Sequence, residues 1–150
     1  MPSRAELFEA YALPDGADRH VRVNFVASAD GAATLDGHSG TLGNATDRAL
    51  LQVLRTMADV VLVGAGTVRV EGYGSVDVGE EDTAWRRRHG LSDQPALAVV
   101  SRDAPLAGHL DAFAVRGWRR ILCEGGPQLF GSLLDAGLVD EVCLTVAPRF

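Results

Sequence analysis

The sequence predicts an α/β domain built on a buried, at least partly parallel sheet flanked by helices. Three observations carry this reading. The apolar runs "DVVLVG", "PALAVVS" and "RRILC" have the length of buried strands. Segments of helical period stand between most of them, the alternation expected of strand–crossover–strand units. Two of the runs end directly in glycines, at "VGAGT" and "CEGGP", where tight strand-to-helix turns are expected.

Residues 1–19 mix Leu7, Phe8 and Tyr11 with Pro14, Asp15 and Gly16 and read as an N-terminal arm before a domain spanning residues 20–150. In "HVRVNFVAS", Val21, Val23, Phe25 and Ala27 alternate with Arg22, Asn24 and Val26, the period of a half-buried strand. The glycine-rich stretch "ADGAATLDGHSGTLGNATD" that follows has few large apolar groups and reads as a loop with a task other than building core. Asn44 or Thr46 then caps a helix, Asp47 suits its first turn, and Leu50, Leu51, Val53, Leu54 and Met57 supply an apolar face. "DVVLVG" and "PALAVVS" are the next strands, separated by "AGTVRVEGYG" and a charged stretch. Between Ser101 and Arg119 no strand and no crossover helix of normal length is evident. Ile121-Leu122-Cys123 is a short strand, Pro127 suits the first turn of a helix carrying Leu129, Phe130, Leu133 and Leu134, and "DEVCLTVAPRF" is the last strand. That strand has nothing after it to cover its edge, so the sequence reads as lacking an internal segment near 102–118 and the C-terminal strands of a longer natural chain.

Composition narrows the function. At 150 residues, 47% hydrophobic and 23% charged, the chain is long enough for a real core and too apolar for disorder. A net charge of −6 and a pI near 5.1 argue against a general nucleic-acid or anionic-membrane binder. No apolar run approaches the length of a spanning helix and no secretory leader is visible, so a cytoplasmic protein is expected. Cys123 and Cys143 sit inside strand-like runs and read as buried thiols. The four histidines lack metal-ligand spacing and there is no Gly-x-Ser-x-Gly, so neither zinc chemistry nor nucleophilic hydrolysis is readable.

The chemistry-bearing residues cluster at strand ends. Gly64, Gly66 and Thr67 let backbone N–H groups and a hydroxyl approach a phosphate, although the dinucleotide fingerprint is unmet, its third glycine falling at Arg69. Gly125 and Gly126 repeat the device before a second helix. If the two strands are parallel neighbours, a dinucleotide can lie across both turns. Glu124 points away from Cys123, toward a substrate hydroxyl or ring N–H, with an ion pair to an internal Arg as the alternative. Asp30 heads the glycine-rich loop with Asn24 and Ser28 upstream and is a candidate substrate-facing acid, or simply an Asp-Gly turn. Arg55 can meet a substrate phosphate, or be a solvated helix Arg. Ser101 and Arg102 can hold a ribose 2′-phosphate, which would select NADPH over NADH, or form a plain turn.

Three stretches, "VNFVASADGAATLDGHSG", "LLQVLRTMADVVLVGAGTVRVEGYG" and "ILCEGGPQLFGSLLDAGLVDEVCLTVAPRF", together resemble the reductases of riboflavin biosynthesis, the RibD C-terminal domain family. The resemblance is closest to the actinobacterial stand-alone pyrimidine reductases. It implies a dihydrofolate-reductase-like fold with a mostly parallel central sheet and a homodimer. It also implies NADPH-dependent reduction of 5-amino-6-ribosylamino-uracil 5′-phosphate to the ribityl compound. Carried over by position, Ala27, Thr41, Gly64, Gly66, Thr67, Glu71, Ser101, Arg102, Gly125, Gly126, Pro127, Gln128 and Leu129 look like cofactor contacts. Asn24, Ser39, Arg55 and Glu124 look like substrate contacts, with Asp30 and Glu124 in catalytic positions. Departures are the absence of a zinc deaminase and the loss of a second substrate-side Arg, whose place falls near Val78. A reductase of dihydrofolate or another pteridine is therefore one alternative reading, and a catalytically silent nucleotide-binding or dimerisation module is another. A silent module need not keep Asp30, Arg55 and Glu124 together, and this chain has all three.

Overall fold

In the computed structural model, residues 1–13, 16, 18–31, 44–101, 103 and 105–148 are described. Five strands form one sheet: β1 (His20–Ser28), β2 (Val60–Gly64), β3 (Ala96–Val100), β4 (Arg120–Cys123) and β5 (Glu141–Ala147). Their spatial order is β3-β2-β4-β1-β5 and every pairing is parallel. Parallel pairing follows from the connections, because each strand must return through a crossover before its successor can start. All five strand ends therefore lie on one edge of the sheet, in the order Val100, Gly64, Cys123, Ser28, Ala147.

The helices are α1 (Arg4–Ala10), α2 (Ala45–Met57), α3 (Ala65–Glu71), α4 (Glu80–Arg88), α5 (Leu106–Val115) and α6 (Pro127–Asp135). One face of the sheet packs Val21, Val23, Val60, Leu62, Ile121 and Cys123 against Leu110 and Phe113 of α5 and Leu133 of α6. The other sets Val61, Val63, Leu122 and Cys143 against Leu54 of α2, with Val76 and Val78 from the segment after α3. Strand alternation makes this sorting automatic, odd and even positions of each strand facing opposite layers.

Asn44 caps α2, its side chain accepting the Asp47 amide at 2.9 Å, and Asp47 in turn accepts the Thr145 hydroxyl at 2.7 Å. The cap thus ties the start of α2 to β5. Residues 4–10 of the N-terminal segment are helical because Ser3 and Glu6 form a capping box. Phe8 of this helix stacks on Trp85 of α4, with ring centroids 4.8 Å apart, and Leu7 is buried beside Val53 and Met57.

One expectation needs correction. The stretch between Ser101 and Arg119 does hold a crossover, the ten-residue α5, which starts at Pro105 without a side-chain cap. The run after "DVVLVG" passes straight into a helix, the strand-to-helix turn expected there. Gly64 is the N-cap of α3, and the first positive φ comes at Gly72, after that helix.

Candidate active site

The carboxyl ends of β2 and β4 are neighbours, so their glycines meet. The Gly64 amide donates to the Gly125 carbonyl at 2.9 Å, and the Glu124 amide donates to the Leu62 carbonyl at 3.1 Å. Gly125 has φ of +105°, and a Cβ there would lie 3.3 Å from the Phe25 ring. A Cβ on Gly126 would lie 2.7 Å from the Thr67 hydroxyl oxygen, inside any allowed contact. Only glycine fits this crossing of two chain segments. Gly125→Ala is expected to cost about 1–3 kcal/mol through its backbone angle, lowering the melting temperature by about 2–12 °C. Gly74→Ala is the control, with no positive φ and no atom within 4 Å of its Cβ. Equal melting temperatures for the two variants would contradict the assignment.

Gly126 is also the N-cap of α6, which has no side-chain cap and Pro127 in its first turn. The positive end of that helix's dipole lies at Gly126, where it favours an anionic group. Thr67 and Glu71 belong to α3, and Ser101 follows β3 directly beside Gly64, whose strand partner is Val100. Ala27 lies on β1, one residue before Ser28. Ser39, Thr41 and Arg102 lie outside the described residues.

The substrate-side candidates collect on the α2 face. Arg55 grips Glu124 with two parallel bonds, Nε to Oε2 at 2.8 Å and Nη2 to Oε1 at 2.5 Å. Sequence reading had left Glu124 open between a ligand and an internal Arg, and Arg55 open between phosphate and water; the structure pairs the two side chains with each other. Tyr73 adds a third bond, its hydroxyl donating to Oε1 at 2.5 Å, and its ring lies 5.9 Å from the Arg55 guanidinium. Burial, followed by the Glu124 charge, pushes the Tyr73 phenol well above its usual range, so it stays a donor. The hydrogen bonds to Glu124 hold Arg55 firmly protonated against its burial. Sequence reading missed Tyr73; its only signal was an aromatic side chain set between two glycines in "EGYGS".

Asn24 is on β1, one residue past the Val23–Cys123 pair, so its side chain shares a sheet face with Glu124. Its Oδ1 is buried and has no hydrogen-bond partner among the described residues. Asp30 follows β1 at the same edge and accepts a hydrogen bond from the Ser28 hydroxyl. The structure thus pairs Arg55 with Glu124 and sets Asn24 on the same sheet face, with Asp30 at the end of the strand that carries Asn24.

Other chemistries find little here. Burial pushes the Cys123 and Cys143 thiols up to about 11, as expected of structural rather than reactive cysteines. Among the described residues, no group of three or more His, Cys, Asp or Glu is placed to hold a metal ion. Nor is any described helix long and apolar enough to cross a membrane.

The model of the RibD C-terminal domain matches residues 19–109 and 105–150. The riboflavin biosynthesis protein RibD of Mycobacterium tuberculosis is 32% identical over 146 residues, covering 86% of this chain. The chain spans 42% of that protein's length. A pyrimidine reductase-like protein from Corynebacterium diphtheriae superposes with a TM-score of 0.84 at 26% identity, over 96% of this chain and 82% of that one. The deaminase/5-amino-6-(5-phosphoribosylamino)uracil reductase of Thermotoga maritima shares the fold, with a TM-score of 0.60 at 16% identity over 97% of this chain and 48% of that one. The sheet is that of the dihydrofolate-reductase-like reductases. With its paired glycine turns and a matching model over both halves, the chain belongs to the RibD C-terminal domain family, the reductases of riboflavin biosynthesis.

Proposed function

We propose that this chain is an NADPH-dependent reductase that converts the ribose of 5-amino-6-ribosylamino-uracil 5′-phosphate to the ribityl chain. The observation that carries it is the crossing of Gly64 and Gly125 at two adjacent parallel strand ends, beside the Asn24–Arg55–Glu124 face. The crowding at Gly126, where a Cβ would strike Thr67, and the uncapped start of α6 support a dinucleotide site at this strand end. Gly64, Gly66, Thr67, Glu71 and Gly125 through Leu129 would hold the dinucleotide, together with Ala27 and Thr41. Ser101 and Arg102 would take the 2′-phosphate. When bound, the nicotinamide supplies hydride. The chain's own part is alignment of the opened sugar between the two glycine turns and the α2 face, with Asp30 as the nearby acid. Ser39 is a further substrate contact in this reading. The protein acts in the cytoplasm as a homodimer.

Calorimetric titration with NADPH and NADH tests the class. Heat is preferable to tryptophan fluorescence, because Trp85 stacks on Phe8 and His89 and Trp118 precedes β4 at the opposite edge. NADPH is expected to bind about 10- to 100-fold more tightly than NADH, the worth of a charged hydrogen-bonded contact. Failure to bind either nucleotide would sink the reductase reading and favour a silent module.

A further inference from the structure

Glu124 is the deepest member of the substrate-side cluster, its side chain 4% exposed against 25% for Arg55. Its two oxygens already receive three hydrogen bonds. An incoming ligand therefore meets Arg55 and Tyr73 first, and the carboxylate only through them. Arg55 brings a positive charge, but Glu124 balances it at contact distance, so the cluster as a whole is neutral. A phosphate dianion gains little from a compensated guanidinium. Arg55 Nη1 makes no hydrogen bond among the described residues, so it remains a donor. The Tyr73 oxygen has spent its proton on Glu124 and remains an acceptor. On the adjacent strand, Asn24 holds a buried polar atom that nothing described satisfies. Such an atom is a standing cost to the folded state, the mark of a group kept for a ligand.

We propose that Asn24, Arg55 and Tyr73, with the Arg55 charge balanced by Glu124, form a net-neutral donor–acceptor surface that reads the cyclic-amide edge of the substrate's heterocycle, its C=O and N–H groups, and not its phosphate. The assignment rests on the reductase reading above and narrows it: phosphate recognition belongs to other residues, and Glu124 is a positioning residue that acts through Arg55 and Tyr73. It also names Tyr73 as a specificity-determining residue.

The test uses the full chain saturated with NADPH and two probes, the 5-amino-6-ribitylaminouracil product with its 5′-phosphate and the same compound without it. Tyr73→Phe is expected to weaken both probes about five- to tenfold, by the same factor. Asn24→Leu is expected to weaken both more strongly while leaving the melting temperature of the free protein unchanged or higher, since it removes an unsatisfied buried polar atom. Arg55→Lys keeps the charge and loses the fork, and should behave like Tyr73→Phe. Losses confined to the phosphorylated probe would overturn the proposal and return these residues to phosphate binding. Unaltered affinity for both probes in the Tyr73→Phe and Asn24→Leu variants would also overturn it, leaving the reductase reading intact. A wild-type chain that binds NADPH but neither probe would overturn the pyrimidine reading and this one with it.

Discussion

Replacing Glu124 with alanine is expected to destabilise the chain by about 3 kcal/mol, the lower part of the range for orphaning one member of a buried ion pair. The lower part applies because Arg55 keeps a quarter of its side chain in solvent. Removing the carboxylate leaves the guanidinium without either of its hydrogen bonds and the Tyr73 hydroxyl without its acceptor. The melting temperature should fall by about 6–12 °C. Adding Arg55→Met to the variant should recover much of the loss, because the orphaned charge goes with it. A single-variant loss below about 1 kcal/mol would class the pair with solvated surface bridges and remove it as the rigid part of the site.

Arg86→Met should cost more, about 4 kcal/mol, from several buried acceptors left unpaired. Arg86 is fully buried, with no carboxylate in hydrogen-bonding contact among the described residues. Its guanidinium donates to the carbonyls of Thr56, Ala58 and Ser92, at 3.0, 2.5 and 2.6 Å. Two of these lie at the C-terminal end of α2, where unsatisfied carbonyls and the negative end of the helix dipole attract a cation. Burial lowers its pKa, with Asp59 the chief opposing charge, yet an arginine stays protonated. Because Arg55 lies in the last turn of that helix, the variant should also weaken substrate binding. Urea unfolding gives the stability change directly. A loss within about 0.5 kcal/mol, typical of surface positions, would show that the α2 end is held by something else.

Arg86 also shows why parts of the fold escaped the sequence. The strands, α2 and α6 announce themselves through apolar period, because their buried residues are apolar. Helix α4, "EEDTAWRRR", buries Asp82 and Arg86 instead, so a search for apolar spacing passes over it. Helix α5 has apolar residues on most of its turns, a glycine inside it and no capping side chain, which blurs both its period and its start. In the site, the glycine turns were legible because strand ends in a parallel sheet share an edge. The Arg55–Glu124 partnership was not, since 69 residues separate its members and only the folded packing of α2 on β4 selects between pairing and solvent. Tyr73 was invisible for the same reason.

The strand order has a consequence in time. β1 is an interior strand, yet both of its partners come from the far end of the chain, Arg120–Cys123 and Glu141–Ala147. At about 5–20 residues per second, the ribosome needs on the order of 5–20 s after making β1 before both partners exist. For that interval the strand bearing Val21, Val23 and Phe25 has no ladder to join. Every later pairing closes a long loop first, which places this chain among slow folders. Its yield in a cell should therefore respond to chaperone supply and growth temperature more than the final stability of the sheet would suggest.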